Sequence, residues 1–218
     1  CFFTGVSEGT IGADRIIKMM TIINDEVVIE EKGIYSIENF LNARRLMYWQ
    51  VYLHKTTVCA EKMLINLILR AKYLERSGET LPGSIEFLGF LKKDLPQEKT
   101  QGTPTWLNDF AQLDDLDIWG AVKLWKNTDD FVLKEISKMF LTRNLFKIHF
   151  SNNPFKRQEM DKLKSKTQKK LGISDDELKY FFSEGEISNY GYLTENKILI
   201  LTKKGKVQDV APLQIYRT

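Results

Sequence analysis

The sequence predicts a mainly α-helical protein with a smaller α+β part at its C-terminal end. Three observations carry this. Residues 37–76 hold neither Gly nor Pro and are rich in Leu, Met, Ala, Glu, Arg and Lys, which favours helix over about 40 residues. Residues 77–141 break into short apolar and amphipathic runs divided by Gly, Pro and Asp. After residue 150 a Lys-rich helical run gives way to β-like runs and a Lys-Lys-Gly-Lys turn. Two parts are expected: 1–150, a helical body containing the long helix 37–76, and 151–218, a small α+β appendage.

Taken in order, Gly5, Gly9 and Gly12 make the opening a loop, followed by a short helix over 13–20. Met20–Ile23 and Val27–Glu31 read as a hairpin about the turn-forming pair Asn24-Asp25. Ser36 suits the N-cap of the long helix and Gly78 its stop. One straight helix would reach ~60 Å, so a bend is expected near the β-branched cluster Thr56-Thr57-Val58. Leu64, Leu67, Ile68 and Ala71 form its buried stripe. Phe87–Leu91 is a turn or two of helix, and 97–104 is a loop. Helices follow at 106–113, 118–126 and 131–141, the last capped by Asp129 or Asp130. Residues 143–150 alternate toward a strand. Residues 161–171 are helical and stop at Gly172, and Ser174 with Glu177 forms a capping box for another short helix. Residues 181–192 and 197–202 are β-like, and Lys203–Lys206 turns into a last strand at 207–210.

With 218 residues, 43% hydrophobic and 28% charged, the composition is that of a globular domain and excludes collagen, a disordered tail and a membrane protein. The net charge of +3 is too small to argue for nucleic acid on charge alone. Cys1 and Cys59 make no disulfide framework, so a reducing, cytoplasmic setting is expected. His54 and His149 with two cysteines cannot build a His/Cys zinc site of the usual spacing. The start Cys1-Phe2-Phe3 shows neither Met nor a signal-peptide pattern, and the chain is read as part of a longer parent.

Arg44, Tyr48, Tyr52 and Lys55 follow at steps of four, four and three and share one helix face, with His54 on its flank. Two cations, two phenols and an imidazole suit an anionic ligand that carries a ring. The plainer reading is a long helix with Tyr in its core and basic residues on its wet side. Asp109, Asp114, Asp115 and Asp117 could hold a hard cation, but helix capping accounts for them and no calcium-loop spacing is present. Lys162, Lys164, Lys166, Lys169 and Lys170 read as a solvated face, or as a contact for an acidic partner. Cys59 reads as buried helix packing. No phosphate loop, dinucleotide fingerprint, nucleophile elbow or H-E-x-x-H motif occurs.

The stretch Ala43-Arg44-Arg45-Leu46-Met47-Tyr48-Trp49-Gln50-Val51-Tyr52-Leu53-His54-Lys55 resembles the HD-domain phosphohydrolases of the deoxynucleoside triphosphate triphosphohydrolase type. Phe3-Thr4-Gly5-Val6 and Arg143-Asn144-Leu145-Phe146-Lys147 match two further segments in the same order and spacing. The resemblance covers about residues 1–150 well and 151–218 weakly. It implies a mainly helical HD-like body with a smaller α+β part. It also implies hydrolysis of nucleoside triphosphates through a divalent metal (Mg, Mn or similar) held by His and Asp ligands upstream of Cys1. This chain alone would then bind no metal and be inactive. It implies Arg44 on a phosphate, Tyr52 against the sugar, His54 near the phosphates, Lys55 beside them and Tyr48 near the base. It further implies a homo-oligomer, dimer or tetramer, with Arg15, Lys32, Arg143 and Lys147 at effector or interface positions. Glu30 stands where effector-binding members carry Arg, so the same effector scheme is not expected here. The alternative is a non-catalytic dimerisation or binding module for an acidic partner or nucleic acid.

Overall fold

The computed structural model describes residues 11–93, 106–187 and 197–210. The expected loops at 4–10 and 97–104, and the match at 3–6, lie outside them. Nine α-helices and four short strands are present among the described residues, so the protein is mainly α with a small sheet. They fall into two compact units: 11–57 with 186–187 and 197–210, and 58–93 with 106–185.

The first unit begins with α1 (Ala13–Lys18), β1 (Met20–Ile23) and β2 (Glu26–Glu30). Asn24 and Asp25 both have positive φ, 52° and 61°, which gives the two-residue turn whose twist matches a tight hairpin. A 3₁₀ turn, Glu31–Gly33, then feeds α2 (Ile34–Met47). The helix starts three residues before the expected Ile37, so Ser36 lies inside it and caps nothing. A Cβ on Gly33 would sit 2.8 Å from Ile29 Cγ2 and 3.2 Å from Met19 Cβ, so this close approach of chain to strand needs glycine. Strands β3 (Leu199–Leu201) and β4 (Val207–Asp209) complete a sheet of order β1-β2-β3-β4. Its one parallel pairing sets Val28 to Glu30 against Leu199 to Leu201. Ile16, Ile29, Ile37, Leu41, Ile200 and Val210 are the buried core of this unit.

The expected single helix 37–76 is broken. After α2 the chain makes a π-helical turn, Tyr48–Tyr52, and α3 (Lys55–Arg76) starts afresh. The break falls at Leu53-His54, just before the β-branched cluster where a bend was expected.

In the second unit α3 is joined by α4 (Ile85–Lys92), α5 (Trp106–Ala111), α6 (Asp115–Trp125), α7 (Phe131–Leu141), α8 (Arg157–Leu171) and α9 (Asp175–Phe181). Met63, Leu67, Trp125, Leu133 and Ile136 are fully buried together at its centre. Helix α6 starts three residues earlier than expected because Asp114 and Asp117 form a capping box. Asp130, not Asp129, caps α7, and the Ser174–Glu177 box caps α9 as read from the sequence. Helix α8 begins four residues before the expected 161. The strand expected at 143–150 does not form. Phe146 spends its backbone groups on sulfur instead: its carbonyl accepts from Cys59 Sγ at 3.2 Å and its N–H donates to Met63 Sδ at 3.4 Å. Residues 182–187 likewise join no strand ladder, and 188–196 lie outside the described residues.

Candidate functional site

The site is built where α2 ends. Leu41 and Ala43 of α2 are buried, which turns Arg44 outward. Arg44 Cζ lies 5.7 Å from the centre of the Tyr48 ring, and the Tyr48 and Tyr52 rings follow at 5.3 Å, tilted by 53°. The three side chains form one ladder. Its cation lies over a π face while the guanidinium N–H groups remain able to pair with an anion. Tyr48 is half-buried, and Tyr52 is 56% exposed.

The π turn holds the ladder's upper rungs. Leu53 N–H donates to Tyr48 O at 2.7 Å, five residues back, so Tyr48 and Tyr52 are wound more loosely than in an α-helix. Thr57 Oγ1 donates to Val51 O at 2.9 Å, a carbonyl that His54 N–H reaches only at 3.4 Å where the winding ends. Past the break, His54 stands at the N-cap position of α3. Its Nδ1 accepts Thr56 N–H at 3.3 Å. The neutral ring therefore carries its proton on Nε2, a donor suited to a phosphate oxygen. Lys55 is the first residue of α3 and exposed, at the positive end of a 22-residue helix dipole. Among the described residues no ion pair engages Arg44, Arg45 or Lys55. Arg44, Tyr48 and Tyr52 are thus brought into contact, while His54 and Lys55 are placed on the helix start that follows. Thr56 and Thr57, read from sequence only as β-branched residues, turn out to hold His54 and the π turn. Their position just after His-Lys was the available signal.

The expected effector residues divide between the units. In the first, Arg15 Nη2 lies 3.5 Å from Lys32 O, and Lys32 Nζ pairs with Glu30 at 2.7 Å. Glu30 is thereby occupied by a cation of its own strand end. In the second, Arg143 and Lys147 are both exposed, and Arg143 has φ 56°. The aspartates have structural partners: Asp109 pairs with Lys93, and Asp114 and Asp117 cap α6. Among the described residues no group of three His, Cys, Asp or Glu could hold a metal ion, and no helix is long and apolar enough to cross a membrane. Burial pushes the Cys59 thiol pKa up, against the lowering effect of its bond to Phe146 O, which fits a packing role.

Residues 11–78 match the family described as the HD associated region, so the ladder, the π turn and the start of α3 all lie within that region. The chain is also similar to a solved phosphohydrolase from Bacteroides thetaiotaomicron VPI-5482: 44% identical, TM-score 0.84, covering 97% of this chain and 53% of that one. YwfO of Bacillus subtilis, an uncharacterized protein, is 30% identical over 154 residues, which is 70% of this chain and 33% of that protein. MJ1154 of Methanocaldococcus jannaschii, also uncharacterized, is 25% identical over 161 residues, 72% of this chain and 29% of its own length. The chain spans about a third of these curated relatives and about half of the solved phosphohydrolase.

Proposed function

We propose that this chain is the substrate-holding, C-terminal part of a metal-dependent HD-domain phosphohydrolase that acts on deoxynucleoside triphosphates. The observation that carries the reading is the Arg44–Tyr48–Tyr52 ladder running into His54 and Lys55, in a chain 44% identical to a solved phosphohydrolase. Arg44 binds a phosphate through its N–H fork, Tyr52 packs on the sugar and Tyr48 lies toward the base. His54 donates from Nε2 to a phosphate oxygen, and Lys55 adds a second cation. These groups bind and orient the substrate and offset its charge.

We assign the divalent metal to His and Asp ligands outside this chain, as the family resemblance implies. The 218 residues alone are therefore expected to hydrolyse nothing. We place the protein in the cytoplasm, as a homo-oligomer, with Arg15, Lys32, Arg143 and Lys147 on its interface or effector surfaces.

The test is incubation of the full-length protein with Mn²⁺ or Mg²⁺ and each dNTP, with products separated by chromatography. Release of inorganic triphosphate is the expected result. Release of single phosphates, or reaction only with another phosphate ester, would move the substrate class. No reaction with any nucleotide would leave the ladder as helix packing.

A further inference from the structure

The modest net charge of +3 hides a strong asymmetry. Residues 143–172 carry nine of the Lys and Arg against two carboxylates, a local charge of +7, so the remaining chain sums to −4. Within this stretch α8 buries none of its residues. Lys162, Lys166, Lys169 and Lys170 are exposed on one side of it and span about 12 Å of axis. Four charges over that length stand about 4 Å apart on average along the axis, a row dense enough for neighbouring lysines to reach successive phosphates of one backbone. Among the described residues no ion pair engages any of the four. Lys164 is different: its Nζ lies 5.1 Å from the centre of the Phe182 ring, so it is occupied within the fold.

Two large apolar rings stand exposed just ahead of this helix. Phe150 is 59% and Phe155 46% exposed, in the irregular segment that leads into Lys156 and Arg157. A solvated lysine face needs no such rings. An acidic protein surface or a duplex would use the cations and leave the rings in water. Unpaired bases would use both, stacking on the rings while the backbone runs along the cations.

We propose that Phe150, Phe155 and the α8 lysines form a binding surface for single-stranded nucleic acid. It is independent of the nucleotide site proposed above. The test is fluorescence anisotropy of the full-length protein with a labelled oligothymidine of about twenty nucleotides, a duplex of the same length and heparin as probes. With four cations on phosphates, affinity for the single strand falls roughly 50-fold between about 50 and about 200 mM salt. Reversing Lys162, Lys166, Lys169 and Lys170 to Glu abolishes binding, and the milder Lys→Gln set flattens the salt dependence. Phe150→Ala and Phe155→Ala each weaken the single strand about tenfold and leave the duplex unchanged. These residues are exposed, and circular dichroism checks that each variant is folded. Absence of binding at about 50 mM salt overturns the proposal. So does equal binding of strand, duplex and heparin that ignores both Phe substitutions, which would mark a general polyanion contact.

Discussion

Arg70 grips Asp130 through Nε, at 3.3 and 3.2 Å from its two oxygens, and through Nη2 at 2.5 Å, while the same carboxylate caps α7 by accepting Leu133 N–H at 2.9 Å. One carboxylate thus ties α3 to the start of α7. Burial opposes the charge on Arg70, but the hydrogen bond and charge of Asp130 outweigh it and raise the guanidinium pKa. The ring of Tyr180, 5.4 Å away, adds a π face.

Asp130→Ala is expected to destabilise the protein by about 3 kcal/mol or more, since it removes a cap and leaves a largely buried cation unpaired. The double variant Arg70→Met with Asp130→Ala should recover part of that loss. Urea unfolding of the single and double variants measures both. Equal loss in the single and the double would mean that Asp130 acts as a cap alone.

Local signals were legible in the sequence where one side chain meets one backbone group. Asp130 at α7 and the Ser174–Glu177 box at α9 are of this kind, and so is the turn at Asn24-Asp25. The parallel pairing of Val28–Glu30 with Leu199–Leu201 was not legible, because some 170 residues separate partners whose patterns each fit many neighbours. Of the candidate site, the shared face of three side chains was legible and the winding that carries them was not. Steps of four predicted one face for Arg44, Tyr48 and Tyr52, and the structure joins them. The π turn adds a residue to the winding at Tyr48–Tyr52, and no local propensity announces that. The strand expected at 143–150 failed for a related reason: alternation suggested a ladder, but Cys59 and Met63 supply Phe146 with its partners.

Arg143 occupies a left-handed position that glycine normally fills. Asn144 N–H reaches Met139 O at 2.9 Å and Arg143 N–H reaches Phe140 O at 3.2 Å, the paired bonds that close a helix end. With φ 56°, the Cβ of Arg143 is strained. Arg143→Gly should therefore stabilise the chain by about 1 kcal/mol, whereas Arg143→Ala keeps the strain and should not. Thermal unfolding distinguishes them. A gain with Ala equal to that with Gly would trace the effect to the lost charge instead.

Glu177 accepts from Ser174 N–H and Oγ–H, both at 2.8 Å, and these bonds hold its carboxyl below the ordinary glutamate range. A depressed folded-state pKa stabilises above the unfolded value of about 4.3, and that stability is lost as pH falls through the folded value. The group is partly solvated, so the contribution is under about 1 kcal/mol. Glu177→Gln should lower the melting temperature slightly at pH 7 and leave it matching the wild type near pH 3. A gap that persists at low pH would show that the lost contact is not ionic.

The ladder gives the most direct test of the proposed chemistry. Arg44 is exposed and its contact with Tyr48 is a surface one, so Arg44→Ala should leave the melting temperature nearly unchanged. On the proposed function, its loss from the full-length protein removes a charge-assisted pairing with phosphate, and kcat/KM for the dNTP should fall about 100-fold, or ~2.7 kcal/mol. Thr57 touches no substrate in this scheme. It holds Val51 O, and through it the turn that carries Tyr48 and Tyr52. Thr57→Val should therefore lower kcat/KM by a smaller factor, roughly tenfold, and Thr57→Ser, which keeps the hydroxyl, should restore it. Steady-state kinetics with each dNTP separates the two effects. If Arg44→Ala keeps full activity, the cation over Tyr48 is packing and the phosphate is held elsewhere. If Thr57→Val matches wild type while Arg44→Ala does not, the π turn is held by its backbone alone.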